Sequence, residues 1–488
     1  MSTTSAAPRT GGVTLSPEKS PVDLVRRPVA PVALAIVAAS LPMFMGTLDN
    51  LVMTTALPVI HAQLSATLGD LQWIVNAYTL TFATLMITAA TLGDRWGRRR
   101  VFVGGIVLFA LASIASALST TAATLIAARA VQGIGAAAIM PLSLTLLAAA
   151  VPPARRAMAI GIWGGVGGLG VALGPVIGGA VIDGISWEAI FWINVPVALI
   201  SVPLILRALP ESRGRRQPVD LIGLALVGAS VFTLVWGVVH GNDDGWGSAG
   251  VVTALTGAAV LLAGFLLQES RAAHPLVPLH LFRVRSFAVA NAAGFAFSLG
   301  MFGAVFLLAQ YLQIVFGYSP LEAGLRTLPW TGAPMIVAPL AGALAGRLGV
   351  RTLLTSGLVL QSAGLVWLAV VSSPSASYPS LIPGLVLAGT GIGLTFAPSA
   401  TAVLTDMAPD DHGTASSTNA TVREIGVALG IAVLVAVFQA ANGDLSPAGF
   451  AEGLRPAVLT GAGVVAAGAL ASLAMPARAG RVAKAPRR

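Results

Sequence analysis

A carboxylate inside a long apolar segment is the residue of this chain best placed to do chemistry. Asp49 lies about two-thirds of the way along the first such segment, beside Asn50 and between Thr47 and Thr54. A charged side chain at that depth of a bilayer costs at least ~2.5–3.5 kcal/mol on insertion scales, so we expect Asp49 to face the protein interior. Because burial favours the neutral acid, Asp49 could gain and lose a proton, as a proton carrier must. The alternative is an acid with a structural hydrogen-bonding role.

Three further charges occupy similar apolar surroundings. Arg129 does not lose its proton in proteins, so it needs an acid, carbonyl groups or water as partners. One hypothesis is a pairing with Asp49 that alternates with proton occupancy, and the other is a permanent structural pair. Arg423 and Glu424 are neighbours in the sequence, so on a helix their side chains point about 100° apart and only one of them need face a cavity.

Other chemistries find little support. The segment 165–170 matches the G-x-G-x-x-G dinucleotide pattern in form, but no β-strand signal precedes it and hydrophobic sequence flanks it on both sides. Cysteine is absent, which excludes disulfides and thiolate chemistry. The five histidines show no metal-ligand spacing, so no metal site is predicted. The sequence contains no Walker A motif, so nothing in it indicates ATP as the energy source.

The composition is that of an integral membrane protein. Hydrophobic residues make up 56% and charged residues 10% of the 488 residues, and the mean hydropathy is +0.85. Soluble domains carry about 25% charged residues. Runs of about 20 apolar residues, enough to cross a bilayer, predict fourteen spans. We number these spans 1 to 14, at residues 31–57, 71–92, 101–119, 122–150, 158–182, 187–206, 220–239, 250–268, 287–316, 321–346, 352–372, 379–404, 414–440 and 456–475.

The basic residues indicate how these spans are oriented. When the N-terminus is placed in the cytoplasm, 24 of the 28 lysine and arginine residues fall in loops and tails on the cytoplasmic side. This bias is the positive-inside rule, so we expect a multi-pass cell-membrane protein with both termini in the cytoplasm. The net charge of +9 then reflects topology, and no nucleic-acid partner is predicted.

An internal repeat relates the beginning of the chain to its end. The loop after span 2, LGDRWGRR at 92–99, has a counterpart after span 10, LAGRLGVR at 344–351. Spans 4 and 12 each carry a Gly-Ile-Gly sequence followed by a proline. Spans 1–6 therefore resemble spans 9–14 in the same orientation, and spans 7 and 8 are an inserted pair. We expect a cytoplasmic tail, a six-helix bundle, a linker with two extra helices, a second six-helix bundle and a basic tail, at 1–29, 30–206, 207–286, 287–476 and 477–488.

Four motifs stand out against this pattern. They are the loop 92–100, LIAARAVQG at 125–133, GVALGPVIGG at 170–179, and the stretch 48–58 around Asp49. Together they resemble the signature motifs of the major facilitator superfamily, and specifically of its fourteen-helix drug:proton antiporter family. The span 5 motif fits fully. The span 1 motif departs from the family, because Met53-Thr54-Thr55 stands where an asparagine is common. The resemblance covers nearly the whole chain and implies the major facilitator fold, all-α with two six-helix bundles and two extra central helices.

The resemblance also implies roles for particular residues. Asp49, Arg129 and Glu424 would couple transport to protons, and Glu424 stands where the family often has glutamine. The loop after span 2 would form a gate through Asp94, Arg95, Gly97 and Arg98. Span 5 would pack closely against a neighbour in its own half and help to seal the cavity; its motif residues are Gly170, Gly174, Pro175, Gly178 and Gly179.

Physical chemistry supports the gate and the seam independently. Small residues let two membrane helices approach closely, and Pro175 allows a bend because it lacks an N–H group. Asp94 can meet the positive N-terminus of a helix from the opposite half, such as the one starting near Gly413. The alternatives are generic tight packing and simple positive-inside anchoring by the arginines.

Polar and aromatic side chains at helical depth are candidates to line a substrate cavity. For each of them the alternative is core packing or anchoring at the membrane interface. The candidates are Asn50, Trp73, Asn76, Tyr78, Gln132, Asn194, Asn291, Gln310, Gln313, Trp330 and Phe396.

The sequence thus predicts a proton-coupled antiporter that exports hydrophobic or cationic compounds by alternating access. Its partners would be small substrates and the lipid bilayer; protons would be the coupling ion, no cofactor is expected, and the chain would act as a monomer. A dedicated exporter of a single metabolite, lipid or antibiotic shares every motif above. A membrane-embedded sensor or an enzyme would need an added signalling domain or clustered catalytic residues, and the sequence indicates neither.

Overall fold

The computed structural model describes residues 31–214, 218, 220–404, 406–407 and 412–476. Within this part of the chain the regular structure is helical, and no β-strand occurs. Fourteen segments are long and apolar enough to cross a membrane, which confirms the predicted number of spans. The predicted tails at 1–29 and 477–488 lie outside the described residues.

Most spans are single helices, and two are broken. Spans 1 to 5 are α1 (Val32–Leu64), α2 (Leu68–Trp96), α3 (Arg98–Ala117), α4 (Ala122–Ala150) and α5 (Pro153–Gly184). Span 6 consists of α6 (Ala189–Trp192) and α7 (Asn194–Ala208), and spans 7 and 8 are α8 (Leu221–His240) and α9 (Ala249–Arg271). Span 9 is α10 (Arg285–Ile314), and span 10 consists of α11 (Pro320–Arg326), α12 (Leu328–Thr331) and α13 (Ala333–Leu348). Spans 11 to 14 are α14 (Val350–Val371), α15 (Tyr378–Leu404), α16 (His412–Ala440) and α17 (Pro447–Ser472).

Two boundaries differ from the prediction for identifiable reasons. The first helix continues through Pro58 to Leu64, so Asp49 lies near its middle and not two-thirds along it. Span 10, predicted as one run, is interrupted, because Pro329 enters the first turn of α12 without an N–H group to continue the hydrogen bonds of α11.

The helices form two bundles joined by the extra pair. Helices α1–α7 pack among themselves, as do α10–α17, and we call these groups the N-terminal and C-terminal bundles. Helix α8 contacts α2 of the first bundle and α16 of the second, and α9 packs on α8. The Ser230 hydroxyl donates to the Ala258 carbonyl over 2.9 Å and ties α8 to α9. The extra pair therefore covers one line along which the two bundles meet.

In each bundle a glycine of the Gly-Ile-Gly sequence makes a close crossing with the preceding span. A β-carbon on Gly135 of α4 would lie 2.7 Å from the carbonyl oxygen of Gly105 on α3. A β-carbon on Gly391 of α15 would lie 2.5 Å from the carbonyl oxygen of Gly357 on α14. Neither position leaves room for a side chain, so backbone contact holds these helices together as it does in other membrane helix pairs. The Gly-Ile-Gly repeat seen in the sequence thus marks close helix packing in both bundles, between α3 and α4 and between α14 and α15.

Because the described residues hold an even number of candidate spans, span 1 begins and span 14 ends on the same side of the membrane. We call this side the terminal side and the opposite one the far side. Helix α5 runs from the terminal side to the far side, and α11 begins on the far side.

Candidate functional site

Asp49 and Arg129 form an ion pair inside the N-terminal bundle. The Nη1 of Arg129 on α4 donates to Oδ2 of Asp49 on α1 over 2.5 Å. The exposed fraction is 4% for Asp49 and 0% for Arg129, so the pair is screened from solvent. The two deep charges that the sequence singled out separately are therefore direct partners in this structure.

Two amides complete the shell around the second carboxylate oxygen. The Nε2 of Gln132 and the Nδ2 of Asn194 each donate to Asp49 Oδ1 over 2.9 Å. Both amides also reach the Ser113 hydroxyl, at 2.9 and 3.2 Å, and that hydroxyl donates to the Phe109 carbonyl. Both carboxylate oxygens of Asp49 accept hydrogen bonds, and one of them contacts the guanidinium of Arg129. These contacts fit the carboxylate in its ionised form.

The network is positioned by helix geometry. Arg129 and Gln132 are three residues apart, so they share one face of α4, and Arg129 Nη1 also donates to Gln132 Oε1 over 2.7 Å. Asn194, the first residue of α7, reaches the same acid from a third helix. Ser113 was not predicted, since a lone serine in an apolar span carries no spacing signal.

Two atoms of the network have no hydrogen-bond partner among the described residues. They are Nη2 of Arg129 and Oδ1 of Asn194, both fully buried. Arg129 also donates from Nε to the Ile74 carbonyl over 3.3 Å and lies 4.3 Å from the centre of the Tyr78 ring. If Asp49 takes a proton, Arg129 therefore keeps some contacts but loses its only carboxylate, and the network must rearrange.

Glu424 and Arg423 point in different directions on α16. Arg423 turns into the C-terminal bundle, where its guanidinium lies 4.5 Å from the centre of the Phe396 ring and its alkyl chain lies against Gly294. Glu424 lies one turn beyond Thr421, whose hydroxyl donates to the Ala83 carbonyl of α2 over 3.4 Å, and Glu424 Oε2 has no hydrogen-bond partner among the described residues. Glu424 is therefore the member of the pair that faces the N-terminal bundle.

Three predicted cavity residues have other placements. Gln132 and Asn194 are bound to Asp49 inside the N-terminal bundle. Trp73 packs against Phe232 of the extra helix α8, with ring centres 5.4 Å apart. These three side chains are occupied by packing or by the ion pair, and in this structure they are not free to line a cavity.

Three other candidates, Asn76, Gln310 and Trp330, carry buried polar atoms that have no hydrogen-bond partner among the described residues. Among the described residues, neither side-chain polar atom of the buried Asn76 has a hydrogen-bond partner, and the same holds for Gln72, one turn earlier on α2, which was not predicted. Gln310 Oε1 and Trp330 Nε1 are likewise buried and unpartnered. Since buried polar groups are normally hydrogen-bonded, these groups are the donors and acceptors most available to a ligand or to water.

The other candidates are tied to the protein. Gln313 donates to the Thr55 carbonyl over 2.9 Å and joins α10 to α1. Asn291 accepts a hydrogen bond from Asn419 over 3.2 Å within the C-terminal bundle. Asn50 is half-buried next to Asp49.

The glycine motif of α5 faces two different helices. Gly170, Gly174 and Gly178 lie against α1, their own bundle's helix that carries Asp49. Gly179 and the Pro175 carbonyl lie instead against α11 of the other bundle, at Leu321 and Gly324. The seam was predicted to lie within one half, and this second contact extends it across the interface between the halves.

Gly174→Leu should destabilise the protein and lower export. A β-carbon at this position would lie 2.9 Å from the β-carbon of Leu51, and overpacking of this kind typically costs ~1–3 kcal/mol. Thermal unfolding of the purified variant should begin at a lower temperature, and proteoliposomes should show less transport or a proton leak. Gly168→Leu is the matched control, since nothing lies within 4 Å of a β-carbon there. Equal stability of the two variants would mean that α1 and α5 are not closely packed at Gly174.

A carboxylate closes the far side between the bundles. Asp183 near the end of α5 accepts hydrogen bonds from the Ser319 hydroxyl over 2.7 Å and from the Leu321 backbone N–H over 3.1 Å. The acid thus sits at the N-terminus of α11, where the helix dipole favours negative charge. Sequence reasoning expected this type of contact for Asp94 on the opposite side and missed Asp183, because its partner lies 138 residues away in the chain.

The loop after α2 is held within its own bundle. Asp94 pairs with Arg98 over 2.6 Å, and its carbonyl accepts from the Gly214 N–H over 3.2 Å. Gly97 has a φ of 116°, a conformation that favours glycine, at the turn between α2 and α3. Here too an acid was missed: Glu211 accepts from the Arg99 N–H over 3.0 Å at the start of α3. Glu211 could have been recognised from the sequence, because it lies among arginines in the segment 207–216, as Asp94 does in its own loop.

Comparison with known proteins places these features in context. The family model described as Major Facilitator Superfamily matches residues 33–431. The chain is 35% identical to the tetracenomycin C resistance and export protein of Streptomyces glaucescens, over 87% of this chain and 79% of the relative. It is 38% identical to the multidrug resistance protein Stp of Mycobacterium tuberculosis, over 83% and 76%. A solved bacterial homologue of the human lysosomal transporter Spinster has the same fold, with a TM-score of 0.64 at 18% identity over 91% and 97%.

Proposed function

This chain belongs to the major facilitator superfamily, and from that premise we propose that it exports hydrophobic or cationic compounds in exchange for protons. The observation that carries the proposal is the buried Asp49–Arg129 pair between α1 and α4 of one bundle. A buried acid with an arginine partner has two alternative states, charged and paired or protonated and released, and a proton can select between them. The named relatives, which include a multidrug resistance protein and an antibiotic export protein, support drugs as the substrate class.

Proton movement supplies enough energy for such an exchange. One proton moving inward across ~100 mV releases ~2.3 kcal/mol, and each unit of pH difference adds about 1.4 kcal/mol. In the proposed cycle Asp49 takes a proton from outside, releases Arg129, and gives the proton up on the cytoplasmic side. Glu424, on the other bundle and facing α2, is the second proposed proton site. No cofactor has a part in this cycle.

We further propose that the terminal side is cytoplasmic and that the protein acts as a monomer in the cell membrane. The distribution of basic residues supports this orientation. With it, the contact between Asp183 and α11 lies on the outer side of the membrane and joins the two bundles there. Export then requires that contact to open.

Drug-dependent proton flux in proteoliposomes tests the proposed exchange. Purified protein is reconstituted with a pH-sensitive dye inside the vesicles, and a hydrophobic cationic compound is added under an imposed pH gradient. Coupled exchange predicts proton movement that depends on the compound and is absent from vesicles without protein. Transport of the compound without any proton movement would contradict the coupling.

A dedicated exporter of one compound is the second candidate. It is favoured by the relative named for tetracenomycin C, which is an export protein for a single antibiotic by its name. A panel of chemically unrelated hydrophobic cations and neutral antibiotics separates the two candidates, since a dedicated exporter responds to one compound and its analogues.

Asp94→Asn should shift the protein towards the state that is open to the terminal side and slow export more than it weakens binding. The change keeps side-chain size but removes the charge that pairs with Arg98 and that would meet α16 when the terminal side closes. Cysteine labelling is convenient because the chain has no cysteine. A single cysteine at the terminal-side mouth should label faster in the Asp94→Asn background. Equal labelling with normal transport would leave Asp94 as an ordinary surface charge.

A further inference from the structure

We propose that a groove on the membrane-facing surface of the N-terminal bundle binds an anionic phospholipid, with its phosphate at three arginines and an acyl chain along α3. The groove is a cavity of about 740 Å³ lined by α2, α3, α4 and the loop after α7. We call it the arginine groove. It lies outside the Asp49 network and between helices of a single bundle, so it is separate from the proposed transport path.

Most of the arginine groove is apolar. Its walls include Leu85, Leu92, Val101, Leu108 and Ile134. Leu108 also borders a second cavity of about 490 Å³ further along α3 and α4. The apolar surface therefore continues from the terminal side deep into the membrane, which suits a hydrocarbon chain better than a compact polar ligand.

Three arginines lie at the terminal-side end of the groove, and other described residues neutralise little of their charge. Arg95 and Arg213 make no hydrogen bond or ion pair with described residues, and Arg100 approaches Glu211 only at 3.8 Å. The other two arginines of the same loop are occupied: Arg98 binds Asp94, and Arg99 donates to the carbonyls of Leu206 and Leu209. Of the four arginines between 95 and 100, the two that line the groove are therefore the ones least engaged by other described residues.

A tryptophan marks the depth of this end. Trp96, the last residue of α2, lines the groove and is 58% exposed. Indole side chains collect where headgroups meet hydrocarbon. The arginines beside it therefore lie at the level of lipid phosphates.

Charge decides between possible occupants. Three guanidinium groups, of which only that of Arg100 has an acidic partner among the described residues, repel the cationic compounds proposed as substrates and attract a phosphate diester, which accepts several charge-assisted hydrogen bonds. The positive-inside pattern places the groove in the cytoplasmic leaflet, where anionic lipids are enriched. An anionic phospholipid combines the required charge, depth and chain.

Gly104 gives a way to fill the groove without touching the arginines. It lines the cavity, and nothing in the protein lies within 4 Å of a β-carbon built on it. Gly104→Leu therefore occupies lipid space with no clash inside the bundle, whereas the adjacent Gly105 is packed against α4. Gly463→Leu on α17 is the matched control, because that glycine is exposed and also has nothing within 4 Å.

Native mass spectrometry of the full-length protein, titrated with phosphatidylglycerol or phosphatidylcholine, tests the site. We expect phosphatidylglycerol to bind more tightly, with the first bound molecule at the arginine groove. Each basic residue near an anionic surface contributes about fivefold, so the triple variant Arg95→Gln/Arg100→Gln/Arg213→Gln should bind it about a hundredfold more weakly. Gly104→Leu should weaken it as well. Arg155→Gln/Arg156→Gln, on the same side but outside the groove, and Gly463→Leu should leave it unchanged.

Each other outcome overturns the proposal. If the wild type and the triple variant bind phosphatidylglycerol with equal affinity, the three arginines do not contact the headgroup. If phosphatidylglycerol affinity falls in the triple variant but not in Gly104→Leu, the lipid is attracted by the basic surface and does not occupy the groove. Equal weakening of both lipids by Gly104→Leu, with no preference for phosphatidylglycerol in the wild type, makes the occupant a neutral lipid.

Discussion

Asp49→Asn should abolish proton-driven export. Asparagine keeps the shape of the side chain but carries no charge to pair with Arg129 and takes up no proton. The measurement is export from proteoliposomes under an imposed pH gradient, with loss to the background of empty vesicles expected. Export at the wild-type rate would remove Asp49 from the coupling mechanism.

The structure adds a second consequence of this substitution and a control for it. Arg129 would remain buried and charged without a carboxylate, and removal of one partner of a buried pair typically costs about 3–5 kcal/mol. The single variant should therefore be less stable in thermal unfolding, and the double variant Asp49→Asn/Arg129→Gln should regain stability without regaining export. If stability and export return together in the double variant, the pair has a structural role alone. This result would select the structural alternative for Asp49.

The ion pair illustrates what sequence could predict about the site. Asp49 and Arg129 were recognisable because a charge in an apolar span is costly wherever the helix lies. Gln132 and Asn194 were also visible, but an amide in a membrane helix fits a cavity, a core or a network equally well. Only the three-dimensional packing of α1, α4 and α7 shows that both amides bind Asp49.

The fold shows the same division between local and long-range information. Fourteen spans follow from hydropathy, since each depends on the length of a single apolar run. The break in span 10 at Pro329 and the contact of Asp183 with α11 were not predicted. The break follows locally from the missing N–H group of Pro329. The contact of Asp183 depends on how segments far apart in the chain meet, and residue type alone does not encode that partner.

Gly179→Leu should prevent closure of the far side and stop transport. In the closed arrangement a β-carbon at this position would lie 2.5 Å from the α-carbon of Leu321 and would also clash with the Pro320 carbonyl. Those atoms are backbone, so no rotamer change of a side chain can relieve the clash. The leucine variant must hold α5 and α11 apart or move the start of α11, and either change also disturbs the hydrogen bonds from Ser319 and Leu321 to Asp183.

A carrier that cannot close one side cannot complete alternating access, so the variant should bind substrate but show no turnover. Gly184→Leu is the matched control, because it lies at the same end of α5 with nothing within 4 Å of a β-carbon, and it should transport normally. A single cysteine introduced at the far-side mouth should label faster in Gly179→Leu than in Gly184→Leu. Normal transport with equal labelling in both variants would mean that the far side closes without contact between Gly179 and α11. Loss of transport in both would point to the end of α5 itself, and not to the seam between the bundles.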